Sequence, residues 1–117
     1  MDKPLKVVFV GDSKSGKTRT CQKLFGLGTQ PYNATDGVQN YRYVTKSGTM
    51  IDIWDCGGDL RGLGDCYYIN ADICVVFGRN QAPWVRDVQR INETAVIYPF
   101  HSIGDLVYFF DSIERVV

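Results

Sequence analysis

No charge of one sign dominates this chain. Its 13 Lys and Arg balance 13 Asp and Glu, and the basic residues form no cluster. A nucleic-acid surface works by neutralising many phosphates, so this balance argues against such a partner. Long hydrophobic runs are missing too: nothing approaches the roughly 20 apolar residues of a membrane span, and no N-terminal stretch has the layout of a secretory signal. Position 2 is Asp, which offers no myristoylation site, and Arg115-Val116-Val117 holds no cysteine to prenylate. The expectation is a protein without a direct membrane anchor, cytoplasmic, with nuclear access open. The cysteines Cys21, Cys56, Cys66 and Cys74 have no paired metal-ligand spacing and fall in or beside apolar stretches, so they read as reduced thiols. The single histidine, His101, reads as a surface residue. Internal repeats and low-complexity segments are absent, and 117 residues with 44% apolar content suit one domain, 1–117, with a real core.

What is present is concentrated near the start. Gly11-Asp12-Ser13-Lys14-Ser15-Gly16-Lys17-Thr18 has the spacing of a phosphate-binding loop. Before it, Lys6-Val7-Val8-Phe9-Val10 is a β-branched apolar run suited to a buried strand. After it, Cys21, Leu24 and Phe25 fall at i, i+3 and i+4, as on one face of a short helix ended by Gly26. Glycines at 11 and 16 allow conformations and close approaches that a Cβ would block. Successive N–H groups of residues 11–18 then face one concavity beside a helix N-terminus and cradle a polyphosphate. In that cradle Lys17 neutralises the terminal phosphates and the Thr18 hydroxyl ligates Mg²⁺; Arg19, next at the start of the helix, is counted with the nucleotide-binding residues.

Gly26 to Gly37 is polar and turn-rich and reads as a mobile loop. Tyr41–Thr45 and Met50–Trp54, joined at Lys46-Ser47-Gly48, read as a β-hairpin. Asp55 to Gly64 is glycine-rich and reads as a loop, Cys66–Asn70 as a short helix and Ile73–Phe77 as a buried strand. Trp84, Val85, Val88 and Ile91 have helical spacing after Pro83. Thr94–Tyr98 and Leu106–Phe110 are apolar runs of strand length. The sum is an α/β chain with a mostly parallel six-stranded sheet and one antiparallel strand. Seven residues between Tyr98 and Leu106 are too few for a helical crossover, and seven after Phe110 allow about two helical turns. Reduced helical cover follows, leaving an apolar sheet face that predicts self-association or a constant partner.

A phosphate loop needs a second Mg²⁺ contact and a sensor for the γ-phosphate. Asp55, at the end of its strand, is placed to hold Mg²⁺ through water, Gly58 to offer a backbone N–H, and Thr35 to close over the ion with its hydroxyl.

With these residues in place the chain resembles the Ras superfamily of small GTPases, looking most like the Ran branch and then Rab. The resemblance rests on Gly11 to Thr18, Tyr32-Asn33-Ala34-Thr35-Asp36-Gly37-Val38, Trp54-Asp55-Cys56-Gly57-Gly58, Tyr67-Tyr68-Ile69-Asn70-Ala71-Asp72 and Trp84-Val85-Arg86-Asp87. It implies a G-domain fold that binds GTP or GDP with Mg²⁺, Tyr32 lying over the phosphates, and effector or regulatory proteins meeting loops 29–40 and 57–66. Two departures stand out. Asp59 occupies the position of the family's water-orienting glutamine, and a carboxylate beside a phosphoryl group is electrostatically unfavourable, so slow hydrolysis is expected. Ser102-Ile103-Gly104-Asp105 stands where the family reads guanine. Asp105 keeps acceptors for the base, while Ser102 replaces an asparagine, so base preference is expected to weaken. The leading reading is a small GTP-binding switch with weak GTP hydrolysis. The second is a binding module that mimics a small GTPase's surface and competes for its partners.

Overall fold

The computed structural model describes residues 3–12, 15–25, 30–35, 38–56 and 68–113. Its elements are β1 (Leu5–Val10), α1 (Lys17–Phe25), β2 (Gln30–Thr35), β3 (Val38–Val44), β4 (Met50–Cys56), β5 (Ile73–Val76), α2 (Ala82–Ile91), β6 (Val96–Pro99) and α3 (Ile103–Ser112). The six strands form one sheet in the order β2-β3-β4-β1-β5-β6. β1 pairs in parallel with β4 and β5, and β5 with β6, while β3 runs antiparallel to both β2 and β4. Of the described strands β3 therefore runs against the others, as the sequence pattern suggests.

β1 sits mid-sheet and is apolar on both faces, which is why it reads as a continuous run and not an alternation. Val7 and Phe9 point to one layer with Cys21 and Leu24 of α1, Ile51 and Ile53 of β4, and Leu106 and Phe110 of α3. Val8 and Val10 point to the other with Cys74, Val76, and Trp84 and Val88 of α2. α2 begins with Pro83 in its first turn, where the missing N–H removes nothing. Beyond its end, Asn92 Nδ2 donates to the carbonyls of Tyr68 and Ala71, both at 2.9 Å. On the β3–β4 surface Arg42 pairs with Asp52 at 2.9 Å and the Lys6 ammonium lies 4.5 Å over the Trp54 ring.

Two expectations change. Gly26–Gly37 is not all loop: Gln30–Thr35 pairs with β3, with a register shift between Pro31 and Asn33. Pro31, Asn33 and Ala34 are poor local strand signals, and pairing with an existing hairpin supplies what propensity lacks. Of the helix expected at Cys66–Asn70, residues 68–70 are described. Tyr68 is helical, in keeping with that helix, and Ile69 and Asn70 form a turn in which Asn70 takes φ 63°, a left-handed conformation that asparagine tolerates; Cys66 and Tyr67 lie outside the described residues.

The largest change is at Leu106–Phe110, a helix and not a strand. Short apolar runs of this kind do not distinguish the two. The decision comes from Ser102, whose Oγ accepts the Asp105 N–H at 3.1 Å and caps the first turn, and from Leu106 and Phe110, four apart and both fully buried. Asp111 at the far end accepts the Lys46 N–H at 3.1 Å, tying α3 to the β3–β4 turn. With no strand after β6 among the described residues, the short gap needs no crossover, and α3 takes a place on the same face as α1.

Phe110→Ala should lower unfolding free energy by about 3–5 kcal/mol, and Ser102→Ala by about 1 kcal/mol, read from urea melts. A cost for Phe110→Ala within that of a surface substitution would remove α3 from the core.

Candidate functional site

The phosphate-loop residues lie at the C-terminal edge of the parallel strands, where β1 hands over to α1. Gly11 has φ +149°, and a Cβ there would fall 2.7 Å from the Phe77 carbonyl oxygen and 3.1 Å from Ser15 Oγ. Only glycine lets the loop pass this close to the end of β5. Gly16, at φ +102°, turns the chain into α1. Ser15 N–H donates to the Asp12 carbonyl at 3.2 Å, and Thr20 N–H to the Gly16 carbonyl at 2.9 Å.

Lys17 is 3% exposed. Its ammonium donates to the Gly11 carbonyl at 2.6 Å and the Asp12 carbonyl at 2.8 Å, with Ser15 Oγ at 3.5 Å. The side chain therefore turns back across its own loop and not out to bulk water. Carbonyl oxygens orient an ammonium without discharging it, which leaves a fixed positive centre at a helix N-terminus.

Asp55 approaches the same place from β4. It stands opposite Phe9 in the parallel register, two residues before Gly11, and is itself buried. Its charge reaches α1: burial first, and then the Asp55 carboxylate, push the Cys21 thiol well above its ordinary range. Cys21 itself lies one turn beyond Lys17 on α1. Cys74, on the opposite layer, is raised to about 12 by burial, against a smaller lowering from Lys6. Both are free thiols, and both are held protonated, hence unreactive.

The other candidates are less close. Thr35 ends β2 and pairs with Val38 at the sheet margin, three strand spacings from β1, or about 14 Å. Tyr32 falls where the β2–β3 register shifts. Arg19 is exposed on α1, and Asp12 is exposed in the loop. Asp105 lies in the first turn of α3, with Ser102 engaged as its cap. Ser13, Lys14, Gly58 and Asp59 lie outside the described residues.

Two contacts were not legible in the sequence. Trp84 reads there as a core residue of α2, yet its indole Nε1–H donates to Asp12 Oδ1 at 3.0 Å. The available signal was the need of a buried indole for an acceptor. Gly78, at φ +93°, would bring a Cβ to 3.5 Å from Ser15, so the turn after β5 backs the loop.

The model of the Roc family, described as Ras of Complex, Roc, domain of DAPkinase, matches residues 6–101. The chain belongs to the Ras superfamily of small GTPases. Among curated proteins it is similar to "GTP-binding protein YPTC5" of Chlamydomonas reinhardtii, 33% identical over 88% of this chain and 58% of that protein. It is 31% identical to "Ras-related protein RABG3e" of Arabidopsis thaliana over 97% of this chain and 63% of the relative. With "GTP-binding nuclear protein Ran" of Giardia intestinalis it shares 30% identity over 76% of this chain and 48% of that one. The chain thus spans about half to three-fifths of the length of the relatives it matches. No helix among the described residues is long and apolar enough to cross a membrane.

Gly11→Ala should be far worse than Gly48→Ala, although both glycines have positive φ. At Gly48 a Cβ meets nothing within 4 Å, so the loss there is the backbone strain alone, about 1–2 kcal/mol. Thermal melts in which the two substitutions are equal would show that the approach to Phe77 does not constrain the loop.

Proposed function

We propose that this chain is a Mg²⁺-dependent guanine-nucleotide switch that binds GTP and GDP through the 11–18 loop and hydrolyses GTP slowly. The observation that carries the reading is the buried Lys17 ammonium, fixed by the carbonyls of Gly11 and Asp12 at the N-terminus of α1. A site that concentrates positive charge and N–H dipoles at one point favours a phosphate group. The names of the Ypt and Ran relatives support GTP as its bearer.

The donor set fits Mg²⁺, a hard cation that takes oxygen ligands and keeps several waters. Asp55, a buried carboxylate near the end of β4, and Thr18, in the first turn of α1, would hold the ion together with Thr35. When bound, the ion shields the phosphate charge. Lys17 would anchor the terminal phosphates, the loop amides from Gly11, Asp12, Ser13, Lys14, Ser15 and Gly16 would hold their oxygens, and Gly58 would offer its N–H. Asp59, in place of a donor able to orient water, gives the chemical step little help.

Thr35 reaches the ion only if the end of β2 parts from Val38, so switching would open the β2–β3 margin. Effectors and regulators would read that margin and the segment after β4. A capped α3 at residues 102–105 supports weak reading of the base, since Ser102 is spent on Asp105 N–H and Asp105 carries what discrimination there is. Self-association through the exposed Val44 and Met50 is a further contact, checked by sedimentation at high concentration. Buried free thiols on both layers suit a reducing cytoplasm.

Titration with mant-labelled GTP, GDP and ATP in the presence of Mg²⁺ tests this. Lys17→Ala should weaken binding by about a hundredfold or more, as expected for charge-assisted phosphate contacts, and EDTA should speed release. Asp59→Gln should raise single-turnover GTP hydrolysis by about tenfold or more. Absence of binding at high micromolar concentration would leave a module that mimics the switch surface without nucleotide, and equal affinities for ATP and GTP would show that Asp105 does not select guanine.

A further inference from the structure

Trp84 lies 72 residues from Asp12 in the chain, yet the two meet at 3.0 Å. The indole body is 3% exposed, packed in the layer that holds Val8, Val10, Cys74, Val76 and Val88. An indole so placed has one donor and few orientations open to it. Its partner is the carboxylate of a loop residue whose own carbonyl accepts from the Lys17 ammonium at 2.8 Å and from Ser15 N–H at 3.2 Å. One residue, Asp12, thus couples the rigid α2 layer on one side to the ammonium on the other.

The charge makes little sense alone. A carboxylate beside a polyphosphate site repels the ligand, so a loop built for anions gains nothing from an acid at position 12 unless the oxygen has another use. That use is to accept the indole N–H. We propose that Trp84 is a positioning residue for nucleotide binding, holding Asp12 so that its peptide carbonyl presents Lys17 to the phosphates. The proposal rests on the nucleotide reading above. Asp12 serves as a hydrogen-bond acceptor, and its negative charge is incidental. The rigid layer, through the indole, sets the shape of the loop before any ligand arrives, which is preorganisation in the ordinary sense.

Four variants of the full chain decide it: Trp84→Phe, Asp12→Ala, Asp12→Asn and the double Trp84→Phe/Asp12→Ala, each titrated with mant-GDP and Mg²⁺. Trp84→Phe and Asp12→Ala should each raise Kd about tenfold, the loss expected for one hydrogen bond to a charged group. Asp12→Asn, which removes the same charge but keeps an oxygen, should recover most of what Asp12→Ala loses. The double variant should be no worse than the weaker single, since both remove one contact. The indole ¹H–¹⁵N resonance that disappears in Trp84→Phe should shift in Asp12→Ala without nucleotide present, and stay closer to the wild type in Asp12→Asn. Unchanged Kd in both singles, multiplied losses in the double, or Asp12→Asn falling with Asp12→Ala overturns the proposal. Should Trp84→Phe fold poorly in a thermal melt, the two Asp12 variants, with the core intact, still decide. Wild-type protein that is folded but binds no mant nucleotide overturns the nucleotide reading itself, a result distinct from wild-type binding that the variants fail to alter.

Discussion

A lysine ammonium taken out of bulk water is unfavourable unless dipoles or charges replace its hydration. Lys17 meets that requirement through the carbonyls of Gly11 and Asp12, and those carbonyls converge because Gly11 presses against the end of β5. The convergence in turn needs β1 between β4 and β5 in parallel register, with Phe9 beside Asp55 on one side and Val75 on the other. Remove any one of these and the ammonium loses its seat. The two apolar layers, the caps and the hairpin serve to hold three adjacent strand ends level, and the chemistry of the site sits on that edge.

Much of this was written locally. The run Lys6–Val10, the glycines at 11 and 16 and the spacing to Lys17-Thr18 identify the strand, loop and helix without reference to the rest of the chain. The same is true of Pro83 followed by Trp84, Val88 and Ile91, whose periodicity and helix-start residue agree. The hairpin around Lys46-Ser47-Gly48 follows for the same reason: pattern and turn chemistry point one way.

What was not legible depended on partners distant in sequence. Gln30–Thr35 carries little strand propensity, and it becomes β2 only because β3 offers an open margin. Leu106–Phe110 has the composition of either element, and the local signal that separates them is Ser102, three residues before Asp105, at a helix-cap spacing. The Trp84 to Asp12 bond joins two segments that each had a sufficient local explanation, Trp84 as core and Asp12 as loop, so nothing in either asked for the other. Membership of the Ras superfamily, established over residues 6–101, accounts for the sheet, and α3, following directly on β6, packs into the layer that α1 begins.

That closure has a bearing on how the polypeptide acquires its shape. β1 is made early, but its neighbours β4 and β5 come about 45 and 66 residues later, as the pairs Leu5 with Ile51 and Val7 with Ile73 show. The layer under α1 waits longer still, for Leu106 and Phe110. Large loops must close before such contacts return any free energy, and high contact order slows folding. On a ribosome the nascent N-terminal half would have a loose, unfinished interior, open to chaperones, until residues near 110 emerge.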